Sequence, residues 1–240
     1  MLNAAQTAGV EKLIYTSSSS VVFSGQDVRN GDESIPYPKV FLALYPKYKA
    51  LAEQKALAAD NPNGMRTVSL RPRLIIGPGD PYLTPRIIDG ARTGRLRLVD
   101  DGRYLTDIVD IETIADAHIL AADALSPGAN HGGKAYFITQ GEPIRIGEIL
   151  NRISIGCGGP EIKKRISKAN ALRLGAIIET VYRLFRIKTE PPLTRFTALQ
   201  FSVDQYFSCK AAERDFGFKP SVSIDESLER IFKWRKDGRA

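Results

Sequence analysis

Short apolar runs alternate with helix-length segments through the first 155 residues, and that alternation restricts the fold more than any other feature. Leu13 to Tyr15, Val68 to Leu70, Leu96 to Val99 and Ala135 to Thr139 are too short for helices and rich in aliphatic and aromatic residues. The intervening stretches repeat apolar positions at helical spacing. ALAEQKALAA and the segment from Thr84 to Thr93 do so, and in IETIADAHILAADAL the residues Ile114, Ala117, Ala121 and Leu125 share one face. Strands separated by helices of this length predict right-handed crossovers and a parallel α/β sheet. The Val68 strand is expected to break at Arg71 and Pro72, Gly77 to Asp80 to form a turn, and IRIGEILNRI to form a further helix.

Open α/β sheets bind ligands beyond the carboxyl ends of their strands. The run EKLIYTSSSS puts Ser17 to Ser20 at that end of the first strand, and FLALYPKYKALAE follows about twenty-five residues later. In that second run Tyr45 and Lys49 stand four apart, so both fall on one face of a helix. A tyrosine normally titrates near ~10 and is a poor base at neutrality. A neighbouring ammonium favours the phenolate and fits Tyr45 to take the proton of an alcohol while hydride leaves its carbon. A serine hydroxyl would hold the substrate oxygen. A lone Tyr-x-x-x-Lys is common by chance, and three of the four serines read equally as turn formers. Pro46 is compatible with a helix that starts close to Tyr45, because the first turn needs no amide donor.

Composition excludes several classes. Cys157 and Cys209 are the only cysteines among 240 residues, against a disulfide framework and in favour of a reducing compartment. The only histidines are His118 and His131, so no metal-ligand spacing exists and no metal is expected; His118 reads as a satisfied structural histidine. MLNAAQTAGVEKL reads as a helix end stopped by Gly9, without a targeting leader, and no run reaches the roughly eighteen apolar residues of a membrane span. The net charge of +7 is modest, predicts no nucleic-acid partner, and is unevenly placed. From Lys163 to Lys188 eight basic residues surround Leu172, Ile177, Ile178, Val181, Leu184 and Phe185 in the pattern of a basic amphipathic helix. Either this helix caps the core with a solvated charged face, or it lies on an anionic membrane surface. The chain closes with two helical patterns joined at Gly217 and Pro220, and Asp107 and Asp110 read as partners of nearby arginines or as a helix cap.

Together YTSSSSVVFSGQDVRNGDES, YPKYKALAE, LRPRLIIGPGD, TDIVDIETIADAHILAA and FGFKPSVSIDESLERIFKW resemble the extended short-chain dehydrogenases. The QDV segment and ADAHILAA narrow the likeness to the 3β-hydroxysteroid dehydrogenase branch, and within it to members acting on 4α-carboxysterols. The resemblance implies a partial Rossmann-like parallel sheet over residues 1–155 and a mainly helical substrate-binding region over 156–240. It implies Ser18 as the substrate-orienting hydroxyl, Tyr45 as proton acceptor and Lys49 as the contact to the nicotinamide ribose of NAD or NADP. Tyr45 and the backbone of Pro72, Arg73, Leu74 and Ile75 would also line the cofactor. Tyr48 departs from the serine or threonine usual at its position.

The implied activity is oxidation of a sterol or steroid 3β-hydroxyl, with decarboxylation, in sterol biosynthesis. The implied location is the endoplasmic reticulum surface or a lipid droplet, otherwise the cytoplasm; a homodimer stays open. Members of that family also carry a strand, a Gly-x-x-Gly-x-x-Gly turn and a helix that receive the pyrophosphate, and no such turn occurs here. Two expectations follow. The chain by itself binds NAD weakly or not at all, which micromolar affinity in a calorimetric titration would refute, and the Leu13 strand forms an apolar sheet edge. A sugar-nucleotide epimerase or dehydratase, and an inactive remnant serving as a membrane-surface or interaction module, are the competing readings.

Overall fold

The computed structural model describes residues 1–238. In chain order its strands are β1 (Lys12–Thr16), β2 (Val28–Gly31), β3 (Arg66–Pro72), β4 (Leu74–Ile76), β5 (Leu98–Val99), β6 (Leu105–Thr106), β7 (Ile108–Asp110), β8 (Lys134–Ile138), β9 (Ile144–Arg145), β10 (Arg165–Ile166) and β11 (Gln205–Phe207). The helices are α1 (Leu2–Thr7), α2 (Leu44–Ala58), α3 (Leu83–Arg92), α4 (Ile111–Ala124), α5 (Ile146–Gly156), α6 (Lys168–Leu184), α7 (Arg195–Gln200), α8 (Lys210–Phe216) and α9 (Ile224–Lys236).

The principal sheet has the order β1-β3-β8 and is parallel throughout, with Ile14 beside Val68 and Leu70 beside Tyr136. Helices cover both faces, so every residue of the central strand β3 is buried. Strand alternation then sorts its side chains. Val68 and Leu70 join Tyr136 and Ile138 against Ile114, Ala117, Ala121 and Leu125 of the α4 segment. Ser69 and Arg71 face the other way, toward α2. There Phe137 packs with Val21, Val22, Ala50 and Phe207, its ring stacked on Phe207 at 4.2 Å. Burying each large aliphatic side chain of these clusters stabilises the fold by about 1.5–3 kcal/mol.

A second core joins α3, α5 and α9 through Ile87, Ile149, Ile153, Leu228 and Ile231. The later part of the chain also shares sheets with the earlier part. β11 lies between β2 and β6, parallel to both, and β10 pairs with β5. β1 is an edge strand of the principal sheet, as the sequence reading expects.

Two expectations are corrected. β3 does not break at Arg71 but runs through Pro72, because Arg71 is neutralised by an internal carboxylate and Pro72 is its last residue. The basic amphipathic helix begins at Lys168, not near Lys163. Arg165 and Ile166 are held in β10, and the Ser167 side chain caps the helix by accepting from the Asn170 amide at 3.3 Å.

Candidate active site

Ala43 has extended backbone at the N-cap of α2, and Pro46 stands third in the helix with its ring buried. This start puts Tyr45, Lys49 and Glu53 at successive four-residue steps along one face. The face runs from solvent to core: Tyr45 is 53% exposed, Lys49 is half-buried and Glu53 is 0% exposed. A group meant to exchange a proton with a bound molecule must be reachable, and Tyr45 is the reachable member.

Lys49 is fixed from β1. Its Nζ donates to the Thr16 carbonyl at 2.9 Å and lies 5.3 Å from the centre of the Tyr15 ring. Burial lowers the Lys49 pKa from the ordinary lysine value. Tyr15 sits among the same groups, its hydroxyl pKa raised by burial and then by the charges of Glu53 and Tyr45. Ser18 caps the 3₁₀ turn at Ser19–Val22; its Oγ accepts from the Ser20 amide at 3.2 Å and lies 2.9 Å from the Ser20 hydroxyl. Ser17, Ser19 and Ser20 are buried, and Ser18 alone of the four is partly open. Thus the carboxyl end of β1 and the first turns of α2 carry all three residues, although among the described residues no hydrogen bond joins them to one another.

Beneath Lys49 a buried network holds helix to sheet. Glu53 accepts from Arg71 Nη2 at 2.7 Å, from Ser69 Oγ at 2.8 Å and from the Tyr37 hydroxyl at 2.5 Å. Burial raises the Glu53 pKa, but the hydrogen bonds and charge of Arg71, with Tyr37, outweigh it and leave the carboxyl below its ordinary value. The Tyr37 hydroxyl is pushed up to about 12 by burial and by its bond to Glu53. Sequence reasoning missed Tyr15, Thr16, Tyr37, Glu53 and Arg71; the available signal was an acid four residues beyond Lys49 in an alanine-rich helix.

The expected cofactor-lining residues follow directly on β3. Pro72 ends that strand, and Leu74 and Ile75 lie in β4, paired along one edge with Ile108 and Val109 of β7. The other edge of β4 has no strand partner among the described residues. Arg73 is 6% exposed and turns inward, where Nη1 donates to Gln200 Oε1 at 3.3 Å while Nε and Nη2 have no hydrogen-bond partner. Burial lowers its pKa to about 10, against the charge of Asp107. Asp107, 0% exposed, is pushed up to about 7 by burial, although it accepts from the Phe207 amide at 2.6 Å. Asp110 accepts from the Glu112 amide at 2.8 Å as the N-cap of α4 and lies 3.7 Å from Arg230, so it both caps and pairs. His118 is satisfied at both ring nitrogens, 2.7 Å from the Ile114 carbonyl and 2.7 Å from the Thr16 hydroxyl. Among the described residues no cluster of side chains could hold a metal ion.

A parallel sheet with a serine, tyrosine and lysine at the end of one strand and on the next helix defines the class: a nicotinamide-dependent oxidoreductase of the short-chain dehydrogenase type. The chain belongs to the 3-beta hydroxysteroid dehydrogenase/isomerase family, whose model matches residues 1–167. A 2-alkyl-3-oxoalkanoate reductase of Stenotrophomonas maltophilia is 46% identical over 233 residues, covering 96% of this chain and 70% of the relative. The mouse sterol-4-alpha-carboxylate 3-dehydrogenase, decarboxylating, is 37% identical over 234 residues, covering 96% and 65%. The sequence reading set the likeness nearest to sterol enzymes, yet this bacterial reductase is more similar than the mouse enzyme. Among solved structures, the Thermotoga maritima UDP-glucose 4-epimerase with UDP-glucose superposes with a TM-score of 0.70 at 17% identity, over 100% of this chain and 68% of its own. That likeness shows the fold alone.

The residues present fit the nicotinamide end of NAD or NADP. Lys49 offers an ammonium at the carboxyl end of β1, and Leu74 and Ile75, directly after Pro72 and Arg73, offer backbone along the edge of β4 that has no strand partner among the described residues.

Proposed function

We propose that this chain carries the catalytic residues of an oxidoreductase that interconverts a secondary alcohol and a ketone on a carbon adjacent to one bearing a carboxylate. The observation that carries the reading is the Lys49 ammonium, held on the Thr16 carbonyl at 2.9 Å on the same helical face as the open Tyr45 hydroxyl. When bound, NAD or NADP accepts or delivers the hydride. Ser18 donates to the substrate oxygen, Tyr45 takes the hydroxyl proton or returns it to the carbonyl, and Lys49 would hold the nicotinamide ribose.

The names of the two relatives support the substrate class. A 2-alkyl-3-oxoalkanoate has its ketone at C3 and its carboxylate on C2; a sterol-4α-carboxylate oxidised at C3 has the same relation between neighbouring ring carbons. A β-keto acid formed by oxidation loses carbon dioxide readily, because the ketone accepts the developing negative charge. A 4α-carboxysterol, with a role in sterol biosynthesis at a membrane surface, is one member of this class, and a 2-alkyl-3-oxo acid is another.

Because the chain by itself is expected to bind NAD weakly, the test joins it to the strand, glycine turn and helix of the family that receive the pyrophosphate, and measures nicotinamide-coupled turnover on a 2-alkyl-3-hydroxy acid, a 4α-carboxysterol and UDP-glucose, with NAD and NADP in parallel. Turnover on a carboxylate-bearing alcohol is expected, and Tyr45→Phe should lower kcat by about 10²–10⁴-fold. Activity on the sugar nucleotide alone, or full activity in the phenylalanine variant, would overturn the reading.

A further inference from the structure

α6 buries only one side. Ala171 and Gly175 face inward, and a Cβ at Gly175 would stand 2.8 Å from the Arg195 backbone nitrogen, so α7 lies directly against the helix there. Glu179 fixes the contact by accepting from the Arg195 amide at 2.7 Å and from its Nε at 2.8 Å. The other apolar side chains have no such cover. Ile177 is 60% exposed, Leu184 73% and Phe185 70%, with Leu174, Val181 and Ile187 near 40%. From Leu174 to Phe185 these positions recur at three- and four-residue intervals and fall within an arc of roughly 100° on the helix.

Arg173 is exposed at one edge of this arc and Arg186 and Lys188 just beyond the end of the helix, whereas Arg183 is exposed on another side. From Lys163 to Lys188 there are eight basic residues and one acid, Glu179, whose carboxylate is committed to Arg195. An ion pair of 3.2 Å between Glu190 and Arg86 ties the segment after α6 to α3, so the face is held on the body of the protein.

We propose that the outer face of α6 seats this protein on an anionic lipid surface. The apolar side chains enter the boundary between headgroups and acyl chains, and Arg173, Arg186 and Lys188 meet the headgroup phosphates. Charge selects this occupant over a second copy of the chain. A two-fold contact places the same patch on both partners and would press the basic rims of two α6 helices together. Among the described residues no helix is long and apolar enough to cross a membrane.

Cosedimentation of the purified protein with phosphatidylcholine vesicles, and with vesicles containing phosphatidylglycerol, tests this. Binding is expected on the anionic vesicles, and it should weaken as salt rises. Leu184→Glu with Phe185→Glu should lower it by at least about ten-fold. Arg173→Ala with Arg186→Ala and Lys188→Ala should remove most of the preference for phosphatidylglycerol, whereas Ile119→Glu, at an exposed position on α4, should bind like the parent. Circular dichroism and melting temperature report whether each variant is folded. Absence of vesicle binding by the parent, or equal binding by the parent and a folded Leu184→Glu/Phe185→Glu variant, would overturn the proposal. So would a parent that elutes as a dimer without vesicles and a variant that elutes as a monomer.

Discussion

At the Lys49 ammonium a helix and a strand meet through one hydrogen bond to Thr16, and below it the Glu53–Arg71 pair fixes how α2 lies on β3. Both members of that pair are nearly inaccessible to solvent, so removing one leaves a buried charge. Glu53→Ala or Arg71→Ala should each cost about 3–5 kcal/mol in urea denaturation. Glu53→Leu combined with Arg71→Met should cost less than the sum of the single losses, and additive losses would contradict the pairing. Asp107 sets a pH dependence of its own. Its folded pKa is raised from 3.8 to about 7, so between those values the folded chain keeps a proton that the unfolded chain has released. Stability should therefore fall as pH rises from about 4 to about 7, by up to roughly 1.4 kcal/mol per unit. Asp107→Asn should flatten that decline in melts taken across the range. The placement of Tyr45 and Lys49 on one helical face was legible in the sequence because it depends only on a spacing of four within a single helix. Tyr15, Tyr37 and Arg71 were not, because what they do depends on a carboxylate brought to them from α2.

Elements whose pattern lies within their own residues were the ones the sequence showed. α2 starts where Pro46 permits, α4 buries Ile114, Ala117 and Ala121, and β8 alternates Tyr136 and Ile138 against Phe137. The end of β3 and the start of α6 were misread because Arg71 is neutralised from α2 and Arg165 is paired from β5, both outside any local window. The two-residue strands have too few positions to show a period at all. The contact of α6 with α7 makes a prediction in which two effects oppose each other. Alanine favours a helix interior over glycine by about 1 kcal/mol. At Gly175, however, the added methyl would lie 2.8 Å from backbone atoms of Thr194 and Arg195, which cannot swing aside as a side chain can. The clash should dominate, and Gly175→Ala should lower stability by about 1–3 kcal/mol in urea denaturation. A gain in stability would show that α7 yields.

Across the whole molecule, the alternation of strand and helix predicted a parallel α/β sheet, and the β1-β3-β8 sheet is parallel throughout, with helices on both faces. The second core was less legible, since it gathers α3, α5 and α9 from segments spread over more than a hundred residues, and apolar content alone does not say which helices meet. β11 closes between β2 and β6, where the Asp204 amide reaches the Asp27 carboxylate across 177 residues of chain. On a ribosome, the slot between β2 and β6 therefore stays open until Gln205–Phe207 have emerged, long after both of its walls are made. The β2-β11-β6 sheet cannot be finished before β11 is made, so through that stretch of synthesis β2 and β6 each keep an unpaired edge open to other chains.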